Sequence, residues 1–310
     1  MRSVLAFLVL SAAILVSLVF AKIGLEHRLA PPNSGLRGLL RTPTPEVVFV
    51  GSSHTRQSYD VAMLEKRLAC SVALVAYNGL DYVQAETIVA ALLARAHTRP
   101  QVLVLEGYCA SLVRETSFQD SRLFFDAPPA IKLALARQYV GEDWLSSRAV
   151  EIFCLGVNRD NELIIAYPIH RWLMQRTSYH GGYIGKNVPG LKTFAGLEFN
   201  LSGGMPHKVE EASLQRTIEM ARNAGISVVC VGSPMPAPVE GKSDVIRLKA
   251  KLAQLLAASK VPYLDGAREF ALNDPRLFAD SNHLSTVGRD LFTSQVADFI
   301  ESTALASSRR

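Results

Sequence analysis

Glu46-Val47-Val48-Phe49-Val50-Gly51-Ser52-Ser53-His54-Thr55-Arg56 is the stretch on which the fold turns. A run of Val, Val, Phe and Val reads as a strand buried on both faces, because a half-exposed strand would alternate apolar with polar residues. Gly51 closes the run. Glycine accepts backbone angles that other residues resist, so the chain can leave the strand in a tight turn. Hydroxyl side chains follow at once, at the carboxyl end of a strand and the start of the next helix. By itself Gly-Ser-Ser is equally a plain turn with a helix cap.

Downstream the same rhythm repeats. Tyr59 to Cys70 has the spacing of an amphipathic helix, with Val61, Leu64 and Leu68 on one face. Ser71 to Tyr77 reads as a second strand and Tyr82 to Ala96 as a helix. Gln101 to Leu105, introduced by Pro100, reads as a third strand. The pattern resumes late in the chain. Lys208 to Ala224 is a helix closed by Gly225, Ile226 to Val231 a strand, Ser243 to Ser259 a long helix and Val261 to Leu264 a short strand. Ser285 to Ala304 is a last helix whose start is marked by Ser285 or Thr286. Apolar strands alternating with helices predict an α/β fold: three layers, α/β/α, around a parallel sheet of about five strands. In such sheets ligands sit outside the carboxyl ends of the strands.

Between Ser111 and His207 the rhythm is lost. This stretch reads as a large insertion after strand three, with helices expected over Ala130 to Val140 and Ile164 to Arg176. Insertions at strand ends build lids as readily as packing subdomains. Upstream, Lys22 to Pro45 holds four prolines and no period, and reads as a tether. The domain therefore spans 46–304, with 23–45 as linker and 111–207 inserted.

The chain opens with Met1-Arg2 and an uncharged apolar run from Val4 to Ala21, interrupted only by Ser11 and Ser17. Its 18 residues approach the ~20 needed to span a bilayer. It also exceeds the roughly 7–15 apolar residues of a secretory signal. An uncleaved anchor is the favoured reading, with a cleaved signal ending at Val19-Phe20-Ala21 as its rival. Both place the body of the protein outside the cytoplasm, in a periplasm or at the cell surface.

The composition agrees with a globular domain. Of 310 residues, 49% are apolar and 20% charged, which excludes disorder and a small disulfide scaffold. The net charge of +5 comes without a dense Lys/Arg run, so nucleic acid is not an expected partner. Cys70, Cys109, Cys154 and Cys230 form no CxxC or Cys/His cluster, so neither zinc nor another metal is expected. A Cys109–Cys154 bridge is the one pairing considered.

A second segment completes a chemical pattern: Phe278-Ala279-Asp280-Ser281-Asn282-His283-Leu284-Ser285, just before the last helix. A serine hydroxyl is a poor nucleophile without a base to take its proton. A histidine is such a base when a carboxylate fixes its tautomer. Asp280 and His283, three apart in a loop, can meet that requirement.

Taken together, a Gly-x-Ser turn after strand one and an Asp-x-x-His-Leu loop before the last helix resemble the SGNH/GDSL hydrolase superfamily, in a membrane-anchored, extracytoplasmic acyltransferase- or esterase-like branch. The resemblance implies Ser53 as nucleophile, His283 as base and Asp280 as its partner, with Ser52 at the position often held by Asp. It implies an oxyanion hole formed by the N–H of Ser53 and by Gly79, in Tyr77-Asn78-Gly79-Leu80. The family's third block supplies an Asn, whereas this chain has Glu106-Gly107-Tyr108-Cys109; Asn78 or a backbone group then replaces that donor. Arg56 and Glu106 are candidate substrate-binding residues, Glu106 alternatively pairing with Arg56 or Arg114. His54 adjoins the nucleophile and is given at most a supporting place.

The function this resemblance implies is ester chemistry: acyl transfer of O-acetyl type to, or removal from, a cell-envelope or exported polysaccharide. The partners are then an acyl donor, a carbohydrate acceptor and an integral-membrane acyltransferase, with no cofactor. The alternatives are a small-ester esterase or lipase, and a silent scaffold of a polysaccharide assembly complex.

Overall fold

The computed structural model describes residues 44–94, 99–113, 187–199 and 205–306, together with isolated positions at 6, 7, 10, 11, 13, 14, 17, 36, 39, 40, 123 and 131. Strand β1 (Val47–Gly51) leads into a six-residue helix α1 (Ser53–Ser58) and then α2 (Val61–Leu68). There follow β2 (Val72–Ala76), α3 (Tyr82–Leu93), β3 (Val102–Glu106), α4 (Lys208–Asn223) and β4 (Ser227–Gly232). A short α5 (Ala237–Glu240), α6 (Ser243–Ala258), β5 (Tyr263–Asp265) and α7 (Thr286–Ile300) complete the chain.

The five strands form one all-parallel sheet in the order β2-β1-β3-β4-β5. Every residue of β1 and β3 is buried, as continuous apolar runs at the centre of a doubly covered sheet require. Alternation divides the side chains between two cores. Val48, Val50, Leu103 and Leu105 face one core with Ile88, Leu214 and Leu252 from the helices α3, α4 and α6. Val47, Phe49, Val102 and Val104 face the other with Leu64 and Leu68 of α2 and Phe292, Val296 and Ile300 of α7. The α/β/α layering matches the expectation.

Three boundaries differ from the sequence reading, each for a local reason. Tyr59 to Cys70 is not one helix: Tyr59 is extended, Asp60 caps α2 by accepting from the Met63 N–H, and Ala69 ends it in the left-handed region at φ 50°. The fifth strand starts at Tyr263 rather than Val261, because Lys260 turns with φ 52° and Pro262 has no N–H for the ladder. The last helix is regular to Ile300 and closes in a π turn over Glu301–Leu305.

The two ends of the inserted stretch meet, since the His207 N–H donates to the Leu112 carbonyl at 2.9 Å. The expected helices at 130–140 and 164–176 lie outside the described residues, apart from Ile131, which is helical and buried. Cys154 lies outside them too, and with it the Cys109–Cys154 pairing; among the described residues Cys230 is a buried thiol. Among the described residues no helix is long and apolar enough to cross a membrane. The 4–21 run falls mostly outside them; its described residues Phe7, Leu10 and Ile14 are helical and exposed.

Candidate active site

The carboxyl end of β1 carries the first half of the site. Ser52 caps α1, its Oγ accepting from the His54 N–H, and Ser53 is the first helical residue. Beneath this turn lies Glu106, the last residue of β3 and only 5% exposed. Its carboxylate accepts four hydrogen bonds from the turn: the N–H groups of Ser52 (2.7 Å) and Thr55 (2.9 Å), and the hydroxyls of Ser52 and Thr55 (2.5 Å each). Gly51 is required here, since a Cβ would collide with Thr55 Oγ1 and the Glu106 carboxylate. Burial raises the Glu106 pKa above the ordinary carboxylate range, and the four hydrogen bonds work against that rise.

Glu106 therefore faces into the protein and does not line the cavity, contrary to the sequence expectation of a substrate-binding residue; it ties the Ser52–Thr55 turn to the sheet. The same bonds separate the two serines, because Ser52 is buried with its hydroxyl committed to Glu106 while the Ser53 hydroxyl meets the His283 ring.

The loop between the Pro275–Leu277 turn and α7 carries the second half. Phe278 and Leu284, both buried, pair as an isolated antiparallel bridge and pinch off the loop. Within it Asp280 accepts from the N–H groups of Asn282 and His283, each at 2.9 Å. His283 Nδ1 lies 2.8 Å from Asp280 Oδ2 and 3.0 Å from Oδ1. An ionised carboxylate only accepts, so Nδ1 carries the proton and Nε2 presents a lone pair. That Nε2 lies 2.9 Å from Ser53 Oγ, across 230 residues of chain. Burial alone would push the Asp280 carboxyl up, but the His283 ring and the two N–H groups outweigh it and hold it below the ordinary range.

Ser53, His283 and Asp280 are thus brought into a continuous chain of hydrogen bonds, as the sequence pattern proposed. A segment not singled out in the sequence supports that chain. Val188 donates to Thr286 Oγ1 (2.7 Å), the Thr286 N–H donates to the Val188 carbonyl (3.0 Å), and the Leu191 N–H donates to the Phe278 carbonyl (2.8 Å). Residues 188–191 thereby strap the base loop at both ends.

A cavity of about 300 Å³ opens beside Ser53, lined also by His54, Gly79, Leu80, Tyr108, Ser111, Glu198, Phe199 and Asn282. Gly79 takes φ +62° at the turn closed by the Leu80 N–H to the Tyr77 carbonyl, a conformation glycine adopts without strain. Among the described residues neither the Ser53 N–H nor the Gly79 N–H has a hydrogen-bond partner, which leaves both available to a developing oxyanion. Asn78 is exposed and outside the cavity wall, so the structure does not bring it to the site. Arg56, half-buried in the last turn of α1, is likewise not among the lining residues. Two acidic residues, Asp81 and Glu198, line the cavity and no Lys or Arg among the described residues does, which disfavours an anionic ligand. Among the described residues no group of His, Cys, Asp and Glu side chains is arranged to hold a metal.

His54 is the residue that sequence reasoning undervalued. It is 1% exposed, lines the cavity and stacks on Tyr108 with ring centres 3.7 Å apart. Its position directly after Ser53 is the only signal in the sequence.

No protein-family model and no curated protein matches the chain. Among solved structures it is similar to one described as a lipolytic protein of the G-D-S-L family from Desulfitobacterium hafniense DCB-2, at 12% identity and TM-score 0.40, covering 82% of this chain and 98% of that one. An acylhydrolase described from Bacteroides fragilis NCTC 9343 gives 12% identity, TM-score 0.41 and coverage of 83% and 87%. A catalytic mutant of the acetylxylan esterase Axe2 from Geobacillus stearothermophilus gives 11%, 0.39, and 83% and 94%. At such identities and TM-scores the chemistry has to stand on the side chains themselves.

Proposed function

We propose that the chain carries out serine-dependent ester chemistry on a short acyl group of O-acetyl type. Ser53 Oγ attacks the ester carbonyl while its proton passes to His283 Nε2, and the N–H groups of Ser53 and Gly79 meet the charge that builds on the carbonyl oxygen. The C–O bond to the alcohol breaks, the proton moves from Nε2 to the departing oxygen, and an acyl-Ser53 ester remains. Water or a sugar hydroxyl then reverses the sequence and frees the serine.

The observation that carries this reading is the pair of contacts at His283, 2.9 Å to Ser53 Oγ and 2.8 Å to Asp280. The small cavity, with no Lys or Arg lining it among the described residues, supports a short, uncharged acyl group. In this reading the chain is held at the outer face of a membrane by its N-terminal apolar run. There it works on an envelope or exported polysaccharide, with an integral-membrane acyltransferase as donor. A small-ester esterase or lipase is the second reading, since the same triad serves water as acceptor.

The experiment is labelling by a fluorophosphonate probe, followed by hydrolysis of p-nitrophenyl acetate. The wild-type chain should label and turn over, and Ser53→Ala should do neither. Labelling that survives in Ser53→Ala would move the nucleophile elsewhere. Turnover accelerated by an added sugar acceptor assigns transfer; indifference to acceptor assigns hydrolysis.

A further inference from the structure

His54 has no task in the chemistry described so far, yet its setting is unusual. Neither ring nitrogen has a hydrogen-bond partner among the described residues, and neither reaches solvent. Folded proteins rarely leave buried polar atoms unpaired, and such atoms concentrate where a ligand is to complete them. His54 lines the cavity beside Ser53, and its ring is clamped face-on by Tyr108, with its centre 5.2 Å from that of His283 and tilted by 38°.

The reaction brings an oxygen atom to His283. His283 Nε2 must hand its proton to the departing alcohol oxygen, and later take one from the entering water or sugar hydroxyl, so that oxygen lies within hydrogen-bond reach of Nε2. The carbonyl oxygen has its own donors in the N–H groups of Ser53 and Gly79.

We propose that His54 is a substrate-contacting residue whose ring N–H, closed to water in the unliganded chain, is uncovered by the entering ester and donates to its alcohol-side oxygen. This rests on the Ser53–His283 reading above and extends it. In acylation the Ser53 Oγ–C bond forms and the alcohol C–O bond breaks. The serine proton travels through His283 to the departing oxygen, and His54 keeps its own proton while its hydrogen bond steadies the charge on that oxygen. In deacylation the same N–H holds the entering oxygen on its line to the acyl carbon. Burial, and then the charge His283 acquires, keep His54 neutral well below its ordinary pKa, so it is a donor throughout and never a rival base. The contact matters most for esters of ordinary alcohols and sugars, whose departing oxygen is strongly basic. A phenoxide that leaves unaided has little use for it.

His54→Phe and His54→Gln, each compared with the wild-type chain, test this. Fluorophosphonate labelling at wild-type rate identifies the variants whose nucleophile turn is intact. In those, kcat/KM for ethyl acetate should fall at least about tenfold further than kcat/KM for p-nitrophenyl acetate, the worth of one such hydrogen bond. The Gln variant, which retains a donor, should recover part of the loss. Equal losses on both esters, or no loss on either, in a variant that labels normally would overturn the role of His54 and leave the triad standing. Failure of the triad itself would show differently, as labelling that persists in Ser53→Ala.

Discussion

The two halves of the site are held by opposite means. The nucleophile turn sits on β1, a central strand buried throughout, and is fastened from below by a carboxylate that accepts four hydrogen bonds in a dry setting. The base loop lies at the surface. Its carboxylate is 52% exposed, and the loop is kept in shape by one bridge, two local N–H bonds and the strap at 188–191. One half inherits its rigidity from the sheet and the other assembles it locally. Substitutions in the first half should therefore cost fold and activity together, and those in the second should cost activity with little loss of stability.

The largest effect tests whether the halves work as one unit. Ser53→Ala and His283→Ala should each reduce turnover by on the order of 10⁴–10⁶-fold, and the double variant hardly more than either, because a nucleophile without its base and a base without its nucleophile are equally idle. Additive losses in kcat would mean the two side chains act separately. Asp280→Asn comes next, at on the order of 10²–10³-fold. An amide no longer fixes the Nδ1–H tautomer, but water at this exposed position takes over part of the task. Its melting temperature at neutral pH should fall only slightly below that of the wild-type chain.

The first half should respond differently. Glu106→Ala orphans the N–H groups of Ser52 and Thr55 in a buried place, at roughly 1–3 kcal/mol each, so about 3–5 kcal/mol and a fall of about 10 °C in Tm are expected along with the activity. Glu106→Gln should be far milder. Its carbonyl can take the place of Oε2, which receives both N–H groups and the Thr55 hydroxyl, and its NH2 can donate to Ser52 Oγ once that hydroxyl turns. Thermal unfolding of the two variants side by side decides the matter; equal damage would show that charge, rather than hydrogen-bond count, holds the turn.

The contrast also explains what is legible in the sequence. The strands read directly, because buried parallel strands are written as apolar runs, and Asp280 and His283 read as a pair because their bond closes within three residues. Long-range polar partners leave no such mark. Glu106 at a strand end resembles a ligand-facing acid, and only the fold reveals that a turn 51–54 residues earlier surrounds it. Arg56 suggests an anion site by its charge, but α1 carries it away from the cavity wall. Val188 to Leu191 has no period at all, since its bonds run to a loop about ninety residues on. His54 is a matter of burial, which neighbouring residues in sequence do not encode.

The smallest effect separates the two carboxylates by the sign of their pH dependence. Asp280 is held below the ordinary range in the folded chain, so the unfolded chain binds its proton first on acidification, near pH 4. Its contribution to stability is complete above that pH and is lost as the pH falls through the folded value. Glu106 is shifted upward by burial, so the folded chain keeps a proton that the unfolded chain releases above about pH 4.3. Its contribution is complete at lower pH and is lost as the pH rises through the folded value. In Tm measured from pH 3 to 7, the gap between wild type and Asp280→Asn should therefore narrow toward acid. Glu106→Gln, which mimics the protonated acid, should instead gain on the wild-type chain as the pH rises from about 4.3. Parallel trends in the two variants would mean that the carboxylates share one environment, and the division between a dry inner half and a wet outer half would fail.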